Sequence, residues 1–383
     1  MKSAVFITAG YPSPARPNTF AFVQEIVHAF ARKGYKCTVV NPMAFYLAWN
    51  RKLFPRHSIE TESGFADVDV YRPLYFSTRN LEFPAWGVLN PRRWRLWFFR
   101  HRALTLVKKL KLRPDVVYGH FVFDGGSAAM DIGRALDVPV IVGVGEENLN
   151  TSARGLLDDQ MIQKCREQVK CYFPNSNHLA RALKDLLGIP DDKILMLPNG
   201  VDHSKFKPLD KKTCRRRFNI DENAFVVGGV GDFIYRKGLD RVAAAISGLK
   251  GVVGIFAGRP GANPPAGDNV LMAKTLSHAE LPAFLSACDV FALPTLSEGC
   301  CNAIIEAMSC GLPVVTSDLE CVSDLVNESC ALTVDPLDVG AIRDAVCRLH
   351  NDAALCGHLA RGAVTQAESF DVDVRIGRMI QCL

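Results

Sequence analysis

The strongest constraint on the fold of this chain is a strand–helix–strand rhythm that runs through both halves and is interrupted once between them. Residues 3–9 form a largely apolar run that ends in the turn signal Gly10-Tyr11-Pro12, as expected of a strand buried on both faces. From Asn18 as N-cap, Val23, Ile26, Val27 and Phe30 recur at helical spacing until Gly34, and residues 37–40 supply the next strand. The pattern returns at 115–118, 125–136 and 138–144, and again at 171–173, 177–187 and 194–197. In the second half, strands are expected at 225–229, 252–257, 289–293 and 314–316, each separated from the next by a helical pattern. Such alternation predicts parallel sheets covered by helices. Between Pro198 and Pro208 two prolines and Asn199-Gly200 break both periods, so the division between domains is expected there.

Length supports two domains, because 383 residues exceed what one core usually supports and 48% apolar residues suffice for two. No apolar run approaches the ~18 residues of a membrane span, and the apolar stretch 4–9 is too short for a secretory core. A cytoplasmic protein is expected. The 13 cysteines are odd in number and contain no C-x-x-C pair; Cys288, Cys310 and Cys347 lie in apolar helical patterns, which reads as reduced thiols and not as disulfides or zinc ligands. A net charge of +5 is mild for this length and implies no nucleic-acid partner.

The richest chemistry lies in residues 293–317, LPTLSEGCCNAIIEAMSCGLPVVTS, where Glu298 and Glu306 stand eight residues apart. Glu298 sits in a loop, Glu306 one turn into a helix, and Gly299-Cys300-Cys301-Asn302 lies between them. Gly299 allows a ligand close to the backbone, and free amides at the helix start, with the positive end of the dipole, suit a pyrophosphate. A carboxylate at each end would accept hydroxyls of a sugar and a ribose. The alternative is a loop–helix junction with two solvated glutamates.

This stretch resembles the signature of the family-4 retaining glycosyltransferases, glycosyl transferases group 1, in the form P-[ST]-x-x-E-G-x6-E-A-x3-G-x-P-V-V. Pro294, Thr295, Glu298, Gly299, Glu306, Ala307, Gly311, Pro313, Val314 and Val315 meet every fixed position. Upstream, Pro198-Asn199-Gly200-Val201-Asp202 with Phe206 and Pro208 is similar to the family's interdomain segment, and Val230-Gly231 to Arg236-Lys237-Gly238 resembles its phosphate-lysine loop. The resemblance implies an α/β GT-B fold, two Rossmann-like doubly wound parallel-sheet domains facing a cleft. Residues 1–198 would form the acceptor-side domain, 199–208 the linker, 209–370 the nucleotide-sugar domain, and 371–383 a helix packing back on the first domain.

By the same resemblance Lys237, Glu298 and Arg236 would act at the reacting centre. Glu306, Gly299, Cys300, Cys301, Asn302, Gly231, Gly258, Arg259, Asn18 and Thr19 would line the donor, with Gly258 and Arg259 near the base. Two departures stand out. The family has an arginine directly after the glycine of the lysine loop, and here the residue is Asp232, with Arg236 as a substitute or a surface residue. Where relatives carry a histidine in a V-H-G-S-D-like run, this chain reads Val144-Gly145-Glu146-Glu147-Asn148. Glu146 or Glu147 would take over a hydroxyl contact, or both are loop glutamates in water. His120, at the end of another expected strand, is the remaining polar group where open α/β sheets bind ligands.

Between Pro91 and Arg113 nine Arg or Lys residues occur without an acid, interleaved with Trp94, Trp97, Phe98 and Phe99. Arg92, Arg93, Trp94, Arg95, Trp97 and Arg100 would suit peripheral contact with an anionic membrane; the other reading is a helix that buries its aromatic rings and solvates its charges. Specificity is expected in the loops 57–86 and 146–155. No cofactor and no metal are expected, since lysine and helix-end amides can neutralise a diphosphate, and Asp67-Val68-Asp69 lies beside a strand far from the motif. The expected activity is transfer of a sugar from a nucleotide-diphosphate donor to a glycan or lipid-linked acceptor. An epimerase or phosphorylase on the same scaffold, or a non-catalytic donor-binding subunit, are the alternatives.

Overall fold

A computed structural model describes residues 1–47, 54–61, 66–77 and 90–383. Of the expected specificity loop 57–86, residues 62–65 and 78–86 lie outside the described residues. The chain divides into two compact units, Met1–Leu197 with Val372–Leu383, and Pro198–Asp371.

In the first unit the elements are β1 (Ser3–Ile7), α1 (Ala21–Arg32), β2 (Lys36–Val40), β3 (Met43–Ala44), β4 (His57–Glu60), β5 (Val68–Tyr71), β6 (Leu74–Tyr75), α2 (Pro91–Lys109), β7 (Val116–His120), α3 (Ser127–Leu136), β8 (Val140–Val144), α4 (Leu149–Ala153), α5 (Asp159–Gln168), β9 (Cys171–Pro174) and α6 (Asn177–Leu187). Seven strands make one sheet in the order β4-β5-β2-β1-β7-β8-β9. All its neighbours pair in parallel except β4 with β5, which closes the edge in antiparallel register. The central strands are buried on both faces, and β7 and β8 expose no residue, which is why they read as continuous apolar runs and do not alternate.

The second unit runs α7 (Lys211–Arg217), β10 (Phe225–Val230), α8 (Leu239–Ile246), β11 (Val252–Ala257), β12 (Val270–Lys274), α9 (Leu281–Ser286), β13 (Val290–Leu293), α10 (Asn302–Ser309), β14 (Val314–Ser317), α11 (Glu320–Ser323), β15 (Ala331–Val334), α12 (Val339–Asn351) and α13 (Ala353–Ala367). Its six-stranded sheet, ordered β12-β11-β10-β13-β14-β15, is parallel throughout. The order runs outward from β10 in both directions, as a doubly wound sheet does.

The last helix, α14 (Val372–Gln381), belongs to the first unit. Val372, Ile376 and Met379 enter the core formed by α1, β1 and β2, and Arg32 pairs with Asp373 at 3.0 Å. Full burial of Ile376 and Met379 stabilises this docking by about 1.5–3 kcal/mol per side chain.

Several expected boundaries differ for local reasons. The first helix starts at Ala21, and its N-cap is Phe20 in the left-handed region at φ 53°, not Asn18. The amide of Thr19 donates to the Arg16 carbonyl within the preceding turn, so Asn18 and Thr19 do not form a helix N-terminus. Helix α3 begins at Ser127 because residues 121–126 form a wider π turn. Gly125 permits that turn: a Cβ there would lie 2.2 Å from the Ile7 carbonyl oxygen. Residues 194–197 add no full strand; Leu195 and Leu197 donate to Tyr172 and Pro174, and only an isolated bridge forms before Pro198. The edge strands β12 and β15, both partly exposed, lie outside the strands expected from the sequence.

Candidate functional site

In the second unit the site is built where β10, β11 and β13 end. After β10 the chain turns at Gly231 and returns through a short helical turn, Tyr235–Lys237. A Cβ on Gly258, just past β11, would stand 1.8 Å from the Gly231 carbonyl oxygen, so the two strand ends meet backbone to backbone only because that residue is glycine. β13 leads through Pro294 and Thr295 to Glu298.

Three side chains converge on one oxygen of Glu298. Lys237 Nζ donates to Oε1 at 2.5 Å, Thr295 Oγ1 at 3.0 Å and Arg236 Nη1 at 3.2 Å. Arg236 also donates to the Ser297 carbonyl. Among the described residues no hydrogen bond ends on Oε2. The carboxylate is 10% exposed and Lys237 15%. Burial penalises the Lys237 ammonium, but the Glu298 charge outweighs that and holds its pKa above the ordinary lysine value. Lys237 therefore stays cationic at neutral pH. Arg236, a candidate substitute for the missing arginine, braces the Glu298 loop.

Beyond Gly299, Cys301 is the N-cap of α10 and gives no side-chain hydrogen bond to the helix. The amides of Asn302 and Ala303 thus have no capping partner among the described residues. Burial pushes the Cys301 thiol up to about 12, which makes it a small apolar filler. Asn302 Oδ1 accepts from Asn199 Nδ2 at 2.7 Å, and the Asn199 amide donates to Cys300 Sγ at 3.5 Å, so the segment after Pro198 is tied to this turn.

Glu306, buried on α10, meets His278 Nε2 at 2.9 Å, and the His278 ring lies 5.1 Å from that of Phe206. The segment 277–280 forms the capping box its spacing predicts, yet that same box aims His278 at Glu306. Reading the box as purely structural missed this residue. Thr295 stands in the motif without an assigned role, and its contact with Glu298 supplies one.

Asp232, in the place of an arginine, is bound by Arg259 through two hydrogen bonds, Nε to Oδ1 at 2.9 Å and Nη2 to Oδ2 at 2.6 Å. Arg259 is 74% exposed. Its guanidinium holds the Asp232 carboxyl below the usual range.

In the first unit His120, Glu146 and Glu147 lie at the ends of β7 and β8. His120 is buried, its Nδ1 2.7 Å from the Tyr118 hydroxyl and its ring between Phe22 and Phe121. Burial, then the nearby Arg375 charge, lower its pKa to about 3, so the imidazole is neutral. Glu146 is also buried; Oε1 accepts from the Val122 amide at 2.6 Å and Oε2 from the Gly145 amide at 3.0 Å. Burial raises its pKa to about 7 against the opposing effect of those amides. Glu146 therefore pins the π turn to β8, which rules out, for this residue, the solvated alternative of the two readings. Glu147 lines a cavity of about 220 Å³ with Arg92, Arg95, Asp124 and Phe121.

The basic stretch is helix α2, and its arginines are engaged within the unit. Arg92 donates to the carbonyls of Ser152 and Arg154, Arg93 pairs with Asp158, Arg95 faces Asp124 at 3.6 Å, and Arg100 binds Asp131 through two hydrogen bonds. These three acids, distant in sequence, offset part of the local charge. Trp94 and Trp97 remain 46% and 53% exposed. No helix among the described residues is long and apolar enough to cross a membrane.

Comparison with known proteins assigns the class. The family models "Glycosyltransferase Family 4" and "Glycosyl transferases group 1" match residues 21–205 and 224–352. The chain belongs to the family-4 glycosyltransferases and has their GT-B fold. It is 24% identical over 367 residues to the putative teichuronic acid biosynthesis glycosyltransferase TuaC of Bacillus subtilis, covering 91% of this chain and 89% of that protein. It is also 29% identical over 287 residues to the D-inositol 3-phosphate glycosyltransferase of Stackebrandtia nassauensis, covering 67% and 65%. Among solved structures, sucrose-phosphate synthase from Thermosynechococcus elongatus superposes with a TM-score of 0.75 at 17% identity, covering 100% of this chain and 98% of that one. Anabaena HepE in complex with UDP-glucose superposes with a TM-score of 0.66 at 16% identity, covering 100% of both chains.

Proposed function

We propose that this protein transfers a sugar, with retention of anomeric configuration, from a nucleotide-diphosphate donor to a hydroxyl of a glycan or lipid-linked acceptor in the synthesis of cell-surface polysaccharide. The observation that carries this reading is the Lys237–Glu298 pair beside the uncapped start of α10. An ionised lysine and free helix-end amides form a cationic pocket for a diphosphate, while the open Oε2 of Glu298 accepts a sugar hydroxyl. Glu306, oriented by His278, would accept the ribose hydroxyls. HepE, solved with UDP-glucose, and the glycoconjugate enzymes named above support a nucleotide-sugar donor.

In the proposed reaction the bond from the anomeric carbon to the diphosphate breaks and one to the acceptor oxygen forms, the acceptor proton passing to the leaving diphosphate. The charge that the terminal phosphate gains as it departs lies next to Lys237 and the α10 amides, and this stabilisation grows in the transition state. Gly231 and Gly258 let the donor approach the ends of β10 and β11, and Arg259 at that rim would complete the positive field. His120 and Glu147 would face the acceptor from the first unit. Attachment to the inner face of the membrane through Trp94 and Trp97 would be peripheral, and no metal would be required. The test is transfer of labelled sugar from a panel of nucleotide sugars to lipid-linked and free glycans, with product anomericity read by NMR. Donor consumption only with an acceptor and an unchanged anomeric configuration are expected. Inversion, or alteration of the donor sugar without acceptor, would overturn the proposal.

A further inference from the structure

A second cavity, of about 130 Å³, opens where β1 and β2 end in the first unit. It is lined by Arg72, Arg16, Ser13, Asn41 and Thr19 among others, and its lining includes no acid. Arg72 is 3% exposed, and among the described residues no carboxylate lies within ion-pair distance of it. Its Nη1 donates to Ser58 Oγ at 2.9 Å and its Nη2 to the Pro12 carbonyl at 2.8 Å, both neutral acceptors. Among the described residues the Nε–H has no acceptor, nor does the buried Ser13 hydroxyl have a partner. Glu60 is near enough to act on Arg72 electrostatically, but its oxygens accept from Tyr11, Gln24 and His28. Burial lowers the Arg72 pKa from its ordinary value.

A buried cation with no ion-pair partner among the described residues and two unpaired polar groups are each costly, and such groups call for an explanation such as a bound ion or water. The cavity holds several waters' volume, enough for a tetrahedral or planar oxyanion. A guanidinium fork matches the geometry of either. Arg16 is exposed and stands at the rim, with its guanidinium 6.0 Å from the Phe54 ring.

We infer that this cavity is an oxyanion site, taking a phosphate monoester or carboxylate group through Arg72, Arg16 and Ser13. Its position at the carboxyl end of a parallel sheet is where open α/β folds place ligands. On the glycosyltransferase reading, the group is an anionic handle on the acceptor; the site itself stands without that reading. The charge and hydroxyl geometry serve free phosphate and an esterified phosphate alike, so the probe must separate them.

Isothermal titration of the full chain with inorganic phosphate, a hexose 6-phosphate and a uronic acid tests the site. It is run in a Lys237→Ala background, so that an anion bound at the diphosphate pocket is not counted. Saturable binding of at least one probe is expected, weakened about tenfold or more by Arg16→Gln, the loss expected for one charge-assisted hydrogen bond. Arg72→Lys should weaken it similarly by removing the fork. Preference for the hexose phosphate identifies an acceptor group, preference for inorganic phosphate a free anion, and preference for the uronic acid a carboxylate. The proposal is overturned if none of the three saturates in the millimolar range, or if Arg16→Gln, a surface change that leaves the melting temperature intact, binds like the parent.

Discussion

Replacement of Glu146 by glutamine should change how stability depends on pH, and the size of the change follows from its surroundings. The carboxyl is buried between two backbone amides and titrates near 7 in the folded chain, against 4.5 for the free group. Because the folded-state value is raised, the stability this group contributes is fully present below about pH 4.5. It is lost progressively as pH rises towards 7, where the folded state must ionise a buried acid. At ~1.4 kcal/mol per pH unit the complete penalty is about 3 kcal/mol. Between about pH 5 and about pH 8 the integrated loss is about 2.5 kcal/mol. Glutamine cannot ionise, so the stability difference between Glu146→Gln and the parent should move in favour of the variant by about that amount over this range. The amide's own mismatch with one backbone donor adds an offset that does not vary with pH. The described tryptophans, Trp94 and Trp97, lie in the first unit, as does Glu146, and the sequence of the second unit contains none. Urea unfolding followed by tryptophan fluorescence therefore reads the right unit. A difference that stays constant with pH, or that favours the parent as pH rises, would refute the reasoning.

Glu298→Ala leaves Lys237 buried without its counter-charge, and a loss of about 3 kcal/mol of stability is expected for the second unit. Calorimetry checks this, and sugar transfer by the same variant should fall by about two orders of magnitude or more. Asp232→Asn breaks a pair whose arginine is largely exposed, so stability should change by about 1 kcal/mol or less despite the two hydrogen bonds. His278→Ala frees Glu306 to rotate, and nucleotide affinity measured by titration should weaken several-fold while the melting temperature shifts little.

Much of the second unit could be read from residues alone because its central strands are buried on both faces and its glycines and prolines stand at their ends. β11 begins and ends where its apolar run does, and Glu298, Lys237 and Glu306 lie where the motif spacing implies. What escaped reading depends on contacts between distant residues. That the Ser297 carbonyl and Glu298 hold Arg236 leaves no local pattern in the sequence. His278 was hidden inside a capping signal, because a hydrogen bond to a residue 28 positions away leaves no local pattern. In the first unit, Glu146 looked like a loop glutamate since nothing local reveals that the Val122 amide awaits it. The ion pairs of α2 were hidden for the same reason, as Asp124, Asp131 and Asp158 arrive from other elements. Helix α1 started later than expected because Phe20 takes a left-handed conformation that sequence disfavours.

The central claim is that Lys237, Glu298, the α10 amides and Glu306 form a nucleotide-sugar site. Thermal melting of the chain with a panel of nucleoside diphosphates and nucleotide sugars, repeated on Glu306→Ala, tests it most directly, since a ligand that binds only the folded state raises the melting temperature. One base should raise the melt of the parent, and Glu306→Ala should lose most of that rise while melting normally alone. A panel that leaves the parent unmoved, or a rise that Glu306→Ala retains in full, would contradict the account.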